Sequence, residues 1–265
     1  MKNSSSFLLV SLLLLASFTV RMENPRGDVN YDGKVTISDV TCLIDYLLSG
    51  NWSDEPVVPP NDSLPDNPEW VDLGLPSGTL WATRNIGANS PEDYGDYFAW
   101  GEIEPKEIYN WSTYKWCSGS VVTLKKYCTQ GNYGTVDNKT ELDPEDDAAY
   151  VNWGSSWRMP SADQQQELCD KCTWQWVTKN GVNGCLVIGP NGKTLFLPAA
   201  GWRYDNALNR VGSSGDYWSR TLGSGLSNGA YRLIFRTGNI FRIGFDLGSR
   251  TDGFPVRAVR VSEGK

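Results

Sequence analysis

The stretch from residue 51 to 68 decides how this chain can fold. Pro56, Pro59, Pro60, Pro65 and Pro68 stand there among polar residues. Each proline fixes φ and removes a backbone donor, so the stretch reads as a semi-rigid linker and cannot build a core. It separates a short front segment, 27–50, from a long block, 69–262. Only the long block has enough chain for a good-sized core.

The front of the chain begins as a secretory signal. Lys2 opens a short charged region, and Phe7 to Val20 is an almost unbroken apolar run. That run is too short to span a bilayer and suits a signal peptide over 1–23, with cleavage between Ala16 and Asn24. No membrane span is expected in the mature chain, which is expected to be secreted or held at the cell surface.

Residues 28–39 read as a calcium loop. Asp28, Asn30 and Asp32 place oxygen ligands at positions 1, 3 and 5, and Gly33 permits the sharp turn. Lys34 offers its carbonyl, Thr36 a water, and Asp39 closes position 12. Hard Ca2+ requires this density of oxygens. A helix is expected to follow, with Val40, Leu43, Ile44, Leu47 and Leu48 on one face. This makes a short EF-hand-like loop-helix.

The long block is crowded with turn signals. Cys185–Ile188 and Thr194–Leu197 flank Pro190-Asn191-Gly192 and predict a hairpin. Tyr231–Arg236 and Ile240–Phe245 flank Thr237-Gly238-Asn239 and predict another. Val256–Val261 predicts a final strand. Asp143-Pro144-Glu145-Asp146 marks one helix start. Ser161-x-x-Gln164 is a capping box entering a second helix that runs to Lys171. Few helices, many short strands and long loops give an α+β domain.

Composition excludes several chemistries. The chain has no histidine, which removes Ser-His-Asp and Cys-His catalysis and most zinc sites. Its net charge is −7 with no basic run, so nucleic acid is not an expected partner. Export permits disulfides among Cys42, Cys117, Cys128, Cys169, Cys172 and Cys185, with Cys117–Cys128 the favoured pair. Cys169-x-x-Cys172 falls at the far end of a predicted helix, the wrong place for a redox motif.

Two resemblances extend this reading. With Asp, not Glu, at position 12, the segment from Gly27-Asp28-Val29-Asn30 through Asp32-Gly33 to Asp39-Val40 resembles a dockerin type I repeat. The resemblance implies a cohesin-type partner and a place in polysaccharide-degrading assemblies. Only one repeat is present. Trp70 to Thr83, Tyr94 to Glu102, Trp157-Arg158-Met159-Pro160-Ser161, Leu197 to Gly201 and Tyr217-Trp218-Ser219 resemble the Fibrobacter succinogenes major paralogous domain. That family is similar to C-type lectin-like folds, which implies small antiparallel sheets, two helices and long loops. Trp81, Trp100, Trp157 and Trp218 are expected to be buried anchors, and Arg158 is expected to tie loops through carboxylates. Glu104-Pro105-Lys106 is only a partial likeness to the sugar-binding tripeptide of C-type lectins, so calcium-bridged sugar binding is not expected. The formylglycine-generating branch of the fold is disfavoured because no cysteine follows Cys185.

Within the C-terminal third, large polar and aromatic residues alternate with Gly and Ser in the manner of a paratope. Tyr204, Asn206, Asn209, Asp216, Arg220, Asn228, Arg232, Arg236, Asn239, Phe241, Arg242 and Phe245 are the candidate ligand residues. The expected function is binding of a glycan or protein without catalysis. The alternatives are a non-catalytic component of a polysaccharide-degrading complex and a glycoside hydrolase, which would need only two carboxylates.

Overall fold

The structure, a computed structural model, describes residues 69–237 and 242–261. The chain divides into two units, Met1–Leu64 and Pro65–Lys265. The described residues all belong to the second. The calcium loop, the signal peptide and the whole linker lie outside them.

The unit is mostly β, with four small antiparallel sheets among the described residues. The first contains β1 (Trp70–Asp72) and β2 (Thr79–Ala82), and is completed by the last strand of the domain, β11 (Val259–Val261), on the other side of β2. The second runs β3 (Thr173–Lys179), β4 (Val182–Ile188), β5 (Thr194–Pro198). β6 (Trp202–Tyr204) and β7 (Ala207–Asn209) form a two-stranded hairpin. The fourth sheet orders β10 (Arg242–Ser249), β9 (Gly229–Arg236), β8 (Ser214–Leu222).

The expectation of an α+β, C-type lectin-like fold is therefore overturned. One of the two helical starts read from the sequence does not propagate. Asp143-Pro144 opens only a 3-10 turn, Pro144–Asp146, and Asp143 makes no side-chain cap. The cap falls instead on Asp147, whose carboxylate accepts from the N–H groups of Ala149 and Tyr150 and starts α1 (Ala148–Trp153). Gly154, at φ +89°, ends that helix after 6 residues. The Ser161/Gln164 capping box is complete, and α2 (Ala162–Lys171) follows it. With so little helix, the core is built by strands and by rings.

Those rings explain the composition. Between β2 and the 3-10 turn the chain makes neither a named strand nor a helix, so its backbone groups need other partners. Tyr and Trp supply some of them and tie the segment to the strands beside it, burying an apolar body and aiming a polar tip at a carbonyl. Tyr97 donates to Ala200 O at 2.6 Å, Tyr109 to Tyr97 O at 2.6 Å and Tyr114 to Trp100 O at 2.6 Å. Trp100 Nε1 reaches Ser219 O and Trp218 Nε1 reaches Phe98 O, both at 2.8 Å. Trp81, Trp100, Trp157 and Trp218 are all fully buried, as expected.

Two apolar clusters flank the long sheet. One gathers Phe98, Trp100, Trp157, Trp218 and Phe254. The other gathers Leu73, Trp81, Leu197, Tyr217, Leu233 and Phe235. Gly215 shows how closely the second is packed: a Cβ there would lie 2.0 Å from the Phe235 ring. Two buried arginines bind the loops together. Arg257 donates to Asn85 Oδ1 at 2.8 Å and to Thr83 O at 2.8 Å. Arg250 serves the same purpose elsewhere. Arg158, by contrast, stacks its guanidinium 4.3 Å from the Tyr150 ring centroid, and makes no ion pair among the described residues.

Predicted hairpins appear with shifted ends. β4 and β5 pair as expected. β9 and β10 pair from Arg236↔Arg242, and the predicted strand start at Ile240 lies outside the described residues. The final strand is confined to Val259–Val261.

Candidate functional site

The structure brings the candidate ligand residues together in two places and scatters the rest. Alternation along β8 and β9 puts Tyr217, Leu233 and Phe235 into the core and leaves Asp216, Arg232 and Arg236 on the opposite face. There Asp216 Oδ1 holds Arg232 Nη1 at 2.7 Å, and Asp216 Oδ2 accepts from Ser214 Oγ at 2.6 Å. Arg236 Nη2 approaches the same carboxylate at 4.0 Å, and Arg232 Nη2 lies 3.9 Å from Asp246. Arg232 also covers the Phe254 ring at 4.9 Å, while Arg236 and Arg210 flank Trp202. Asp216 is fully buried within this network. Burial, opposed by Arg232 and reinforced by the Asp216 charge, pushes the nearby Asp252 carboxyl up to about 6.

Tyr204 and Asn206 lie on the β6–β7 hairpin, beside a cleft of about 430 Å³. Its walls include Asp96, Tyr97, Lys106, Tyr109, Arg203 and Asn206. Asp205, in the left-handed region at φ +50°, exchanges backbone hydrogen bonds with Tyr109 at 2.9 Å each way. Asn110 Nδ2 donates to its side chain at 2.7 Å. The hairpin tip is thereby pinned over the cleft, with Tyr204 55% exposed. Arg203 stacks on Tyr97, and Lys106 bridges to Glu102 at 2.7 Å. Burial raises Asp96 above the usual carboxylate range. Asn206 is the only candidate of the sequence reading that lines this cleft. Pro105 and Lys106 of the partial lectin tripeptide line it too. Asp96 and Tyr97 sit in the Tyr94–Glu102 motif, and nothing in their spacing announces Arg203 as their neighbour.

The remaining candidates scatter. Asn209 Nδ2 bonds Ala207 O on its own hairpin at 3.3 Å. Asn228 gives its carbonyl to Arg250 N in the β8–β9 turn. Arg220 faces a different cavity. Arg242 and Phe245 occupy β10 opposite Arg236 and Leu233. Asn239 and Phe241 lie outside the described residues, as do the metal candidates Asp28, Asn30, Asp32, Lys34, Thr36 and Asp39.

Among the described residues one acidic group, Asp143, Glu145 and Asp146, is close enough to resemble a cation site. It is already neutralised: Lys126 Nζ lies 2.6 Å from both Asp143 and Asp146, with Lys115 and Lys139 close by. The disulfide expectation is corrected. Cys117, Cys128, Cys169, Cys172 and Cys185 are all free thiols. Cys117 Sγ turns to Trp111 O and Cys128 Sγ to Gln130 O, both at 3.1 Å, so each thiol serves its own loop. Burial pushes Cys169 up to about 12 and Cys172 up to about 11, which keeps both as thiols rather than reactive thiolates.

Comparison with known proteins places one part of the chain. Residues 26–64 match the dockerin type I domain. Dockerin type I domains bind calcium and cohesins, and proteins that contain them are typically extracellular. The chain thus carries a segment that matches this domain ahead of the β-rich unit. No curated protein and no solved structure matches it. Among the described residues, no helix is long and apolar enough to cross a membrane.

Proposed function

We propose that this chain is a secreted, non-catalytic binding protein. Its β-rich domain engages a glycan through the cleft under the β6–β7 hairpin, and its dockerin-type segment tethers it to a cohesin-type partner. The observation that carries the reading is the cleft itself, about 430 Å³ with aromatic and charged walls. Sugar recognition needs such a combination, with flat apolar surfaces for ring faces and fixed polar groups for hydroxyls. A protein ligand anchored on Tyr204 is the other occupant such a surface would suit. In the dockerin-type segment, Asp28, Asn30, Asp32, Lys34, Thr36 and Asp39 would hold Ca2+ as an all-oxygen set. The likeness of the later motifs to the Fibrobacter succinogenes major paralogous domain supports an exported setting.

A glycan and protein array probed with the full secreted chain tests this. Binding that is lost in Tyr204→Ala/Asn206→Ala, with folding intact, is the expected result. Unchanged binding would remove the cleft as the site. Loss of binding only with a chelator would move recognition to the dockerin-type segment, and favour the second reading, a non-catalytic component of a polysaccharide-degrading complex. Release of reducing sugar by the purified chain would overturn the absence of catalysis.

A further inference from the structure

A second cavity, of about 460 Å³, opens on another part of the domain and shares no lining residue with the cleft. Its walls include three arginines, Arg158, Arg220 and Arg260, with Gln164, Ser155 and Ser156. The fold brings them together from distant parts of the chain. Arg158 and Val259 exchange backbone hydrogen bonds at 2.9 and 2.8 Å, which sets Arg260 one residue beyond. Arg220 N donates to Pro160 O at 2.8 Å and so enters beside them.

The three guanidinium groups are unequally satisfied. Arg220 is held, its Nε 2.6 Å from Glu141 and its Nη1 donating to Met159 O at 2.9 Å. Arg158 and Arg260 rest on the rings of Tyr150 and Trp157 at 4.3 and 5.8 Å. Neither forms an ion pair among the described residues, and the buried Nε of Arg260 has no hydrogen-bond partner. Glu141 is the one carboxylate in an ion pair with this trio among the described residues, and the buried Asp147 carboxylate feels the charge of Arg158 while being held by backbone N–H groups. Converging cations repel one another and leave donors unmet unless an anion enters. In a chain of net charge −7 this local excess of positive charge is not a by-product of composition. Planar guanidinium forks match carboxylate and sulfate oxygens in pairs. The exposed hydroxyls of Ser155 and Ser156 add neutral donors and acceptors at the mouth.

We propose that this cavity binds a saccharide residue carrying an oxoanion, a carboxylate or a sulfate, held between Arg158 and Arg260 with Arg220 fixed against its wall.

The test is calorimetric titration of the full chain with sodium glucuronate, inorganic sulfate and glucose, at constant ionic strength. Glucuronate is expected to bind, sulfate to compete with it, and glucose to give no heat. Arg158→Gln/Arg260→Gln is expected to raise the glucuronate Kd by about tenfold or more, since charge-assisted hydrogen bonds are removed. Ser156→Trp fills the mouth from an exposed loop position, and is expected to abolish binding with an unchanged thermal midpoint. Tyr204→Ala/Asn206→Ala should leave glucuronate binding intact, which separates this site from the cleft. Equal binding of glucose and glucuronate, unchanged affinity in both arginine and Ser156 variants, or no binding of glucuronate would each overturn the proposal.

Discussion

Arg250 donates from Nη1 to the carbonyl oxygen of Tyr127 at 2.9 Å, and its guanidinium carbon lies 5.9 Å from that residue's own ring centroid. The arginine is fully buried. Its other donors reach Tyr114 Oη and Ser227 O at 2.9 Å and Lys126 O at 3.0 Å. A cation here is matched by carbonyl dipoles and by the faces of Trp100, Tyr114 and Tyr127.

Replacing it removes every one of these partners at once. Arg250→Met keeps an unbranched apolar stem and leaves the carbonyls without their arginine donor. The expected loss of stability is about 3–5 kcal/mol, read as a shift of the urea midpoint. A loss below about 1 kcal/mol would mean that water replaces the guanidinium.

Asp147 should be nearly as sensitive. Its Oδ1 accepts from Ala149 N at 2.9 Å and Tyr150 N at 3.1 Å, and its two oxygens accept from Met159 N at 3.0 Å each. It caps α1 and fixes the segment carrying Trp157 and Arg158. Asp147→Ala is expected to cost about 3 kcal/mol, more than a simple cap, because the Met159 donor is left buried. Chemical denaturation checks this, and Asp147→Asn should recover part of the loss.

Asp252 gives the domain a pH signature. Burial raises its carboxyl to about 6, against 3.8 for an ordinary one. The folded state therefore holds the proton more tightly than the unfolded chain. Its contribution to stability is complete below pH 3.8 and is lost as pH rises to about 6. Asp252→Asn is expected to stabilise the domain at pH 7 by about 2 kcal/mol and to change nothing at pH 3.5. Denaturation at both pH values reads the difference directly. A variant less stable at pH 7 would show that its charge supports Arg232.

Calcium removal is expected to act on the dockerin-type segment alone. With chelator, capture of the chain by an immobilised cohesin should fall to background, while the calorimetric transition of the β-rich domain should keep its midpoint. Equal loss of both would mean that the domain itself holds a stabilising ion.

The sequence disclosed local features better than their assembly. Ser161 and Gln164 announced α2 because a capping box is complete within three residues. The β4–β5 hairpin was legible from its turn, and the buried tryptophans from their motifs. The arginines were not legible. Arg250 and Arg257 look like surface residues in a list, because arginine is seldom buried, and their partners are carbonyls that carry no sequence signal. The α+β expectation failed where Asp143-Pro144 supplied a start without enough helix-forming chain behind it. The cleft was only partly visible, since Asn206 marks one wall while Asp96 and Arg203 meet only through the fold.

The pairing of β2 with both β1 and β11 has a consequence for biosynthesis. β2 gains its second neighbour only when Val259–Val261 arrives, after nearly the whole domain has been translated. Until then its edge offers unpaired N–H and C=O groups, and truncation before Val259 would leave that edge open to aggregation. So late a closing contact also slows folding. A nascent chain that cannot finish its first sheet stays threadable, a property that the proposed secretion would use.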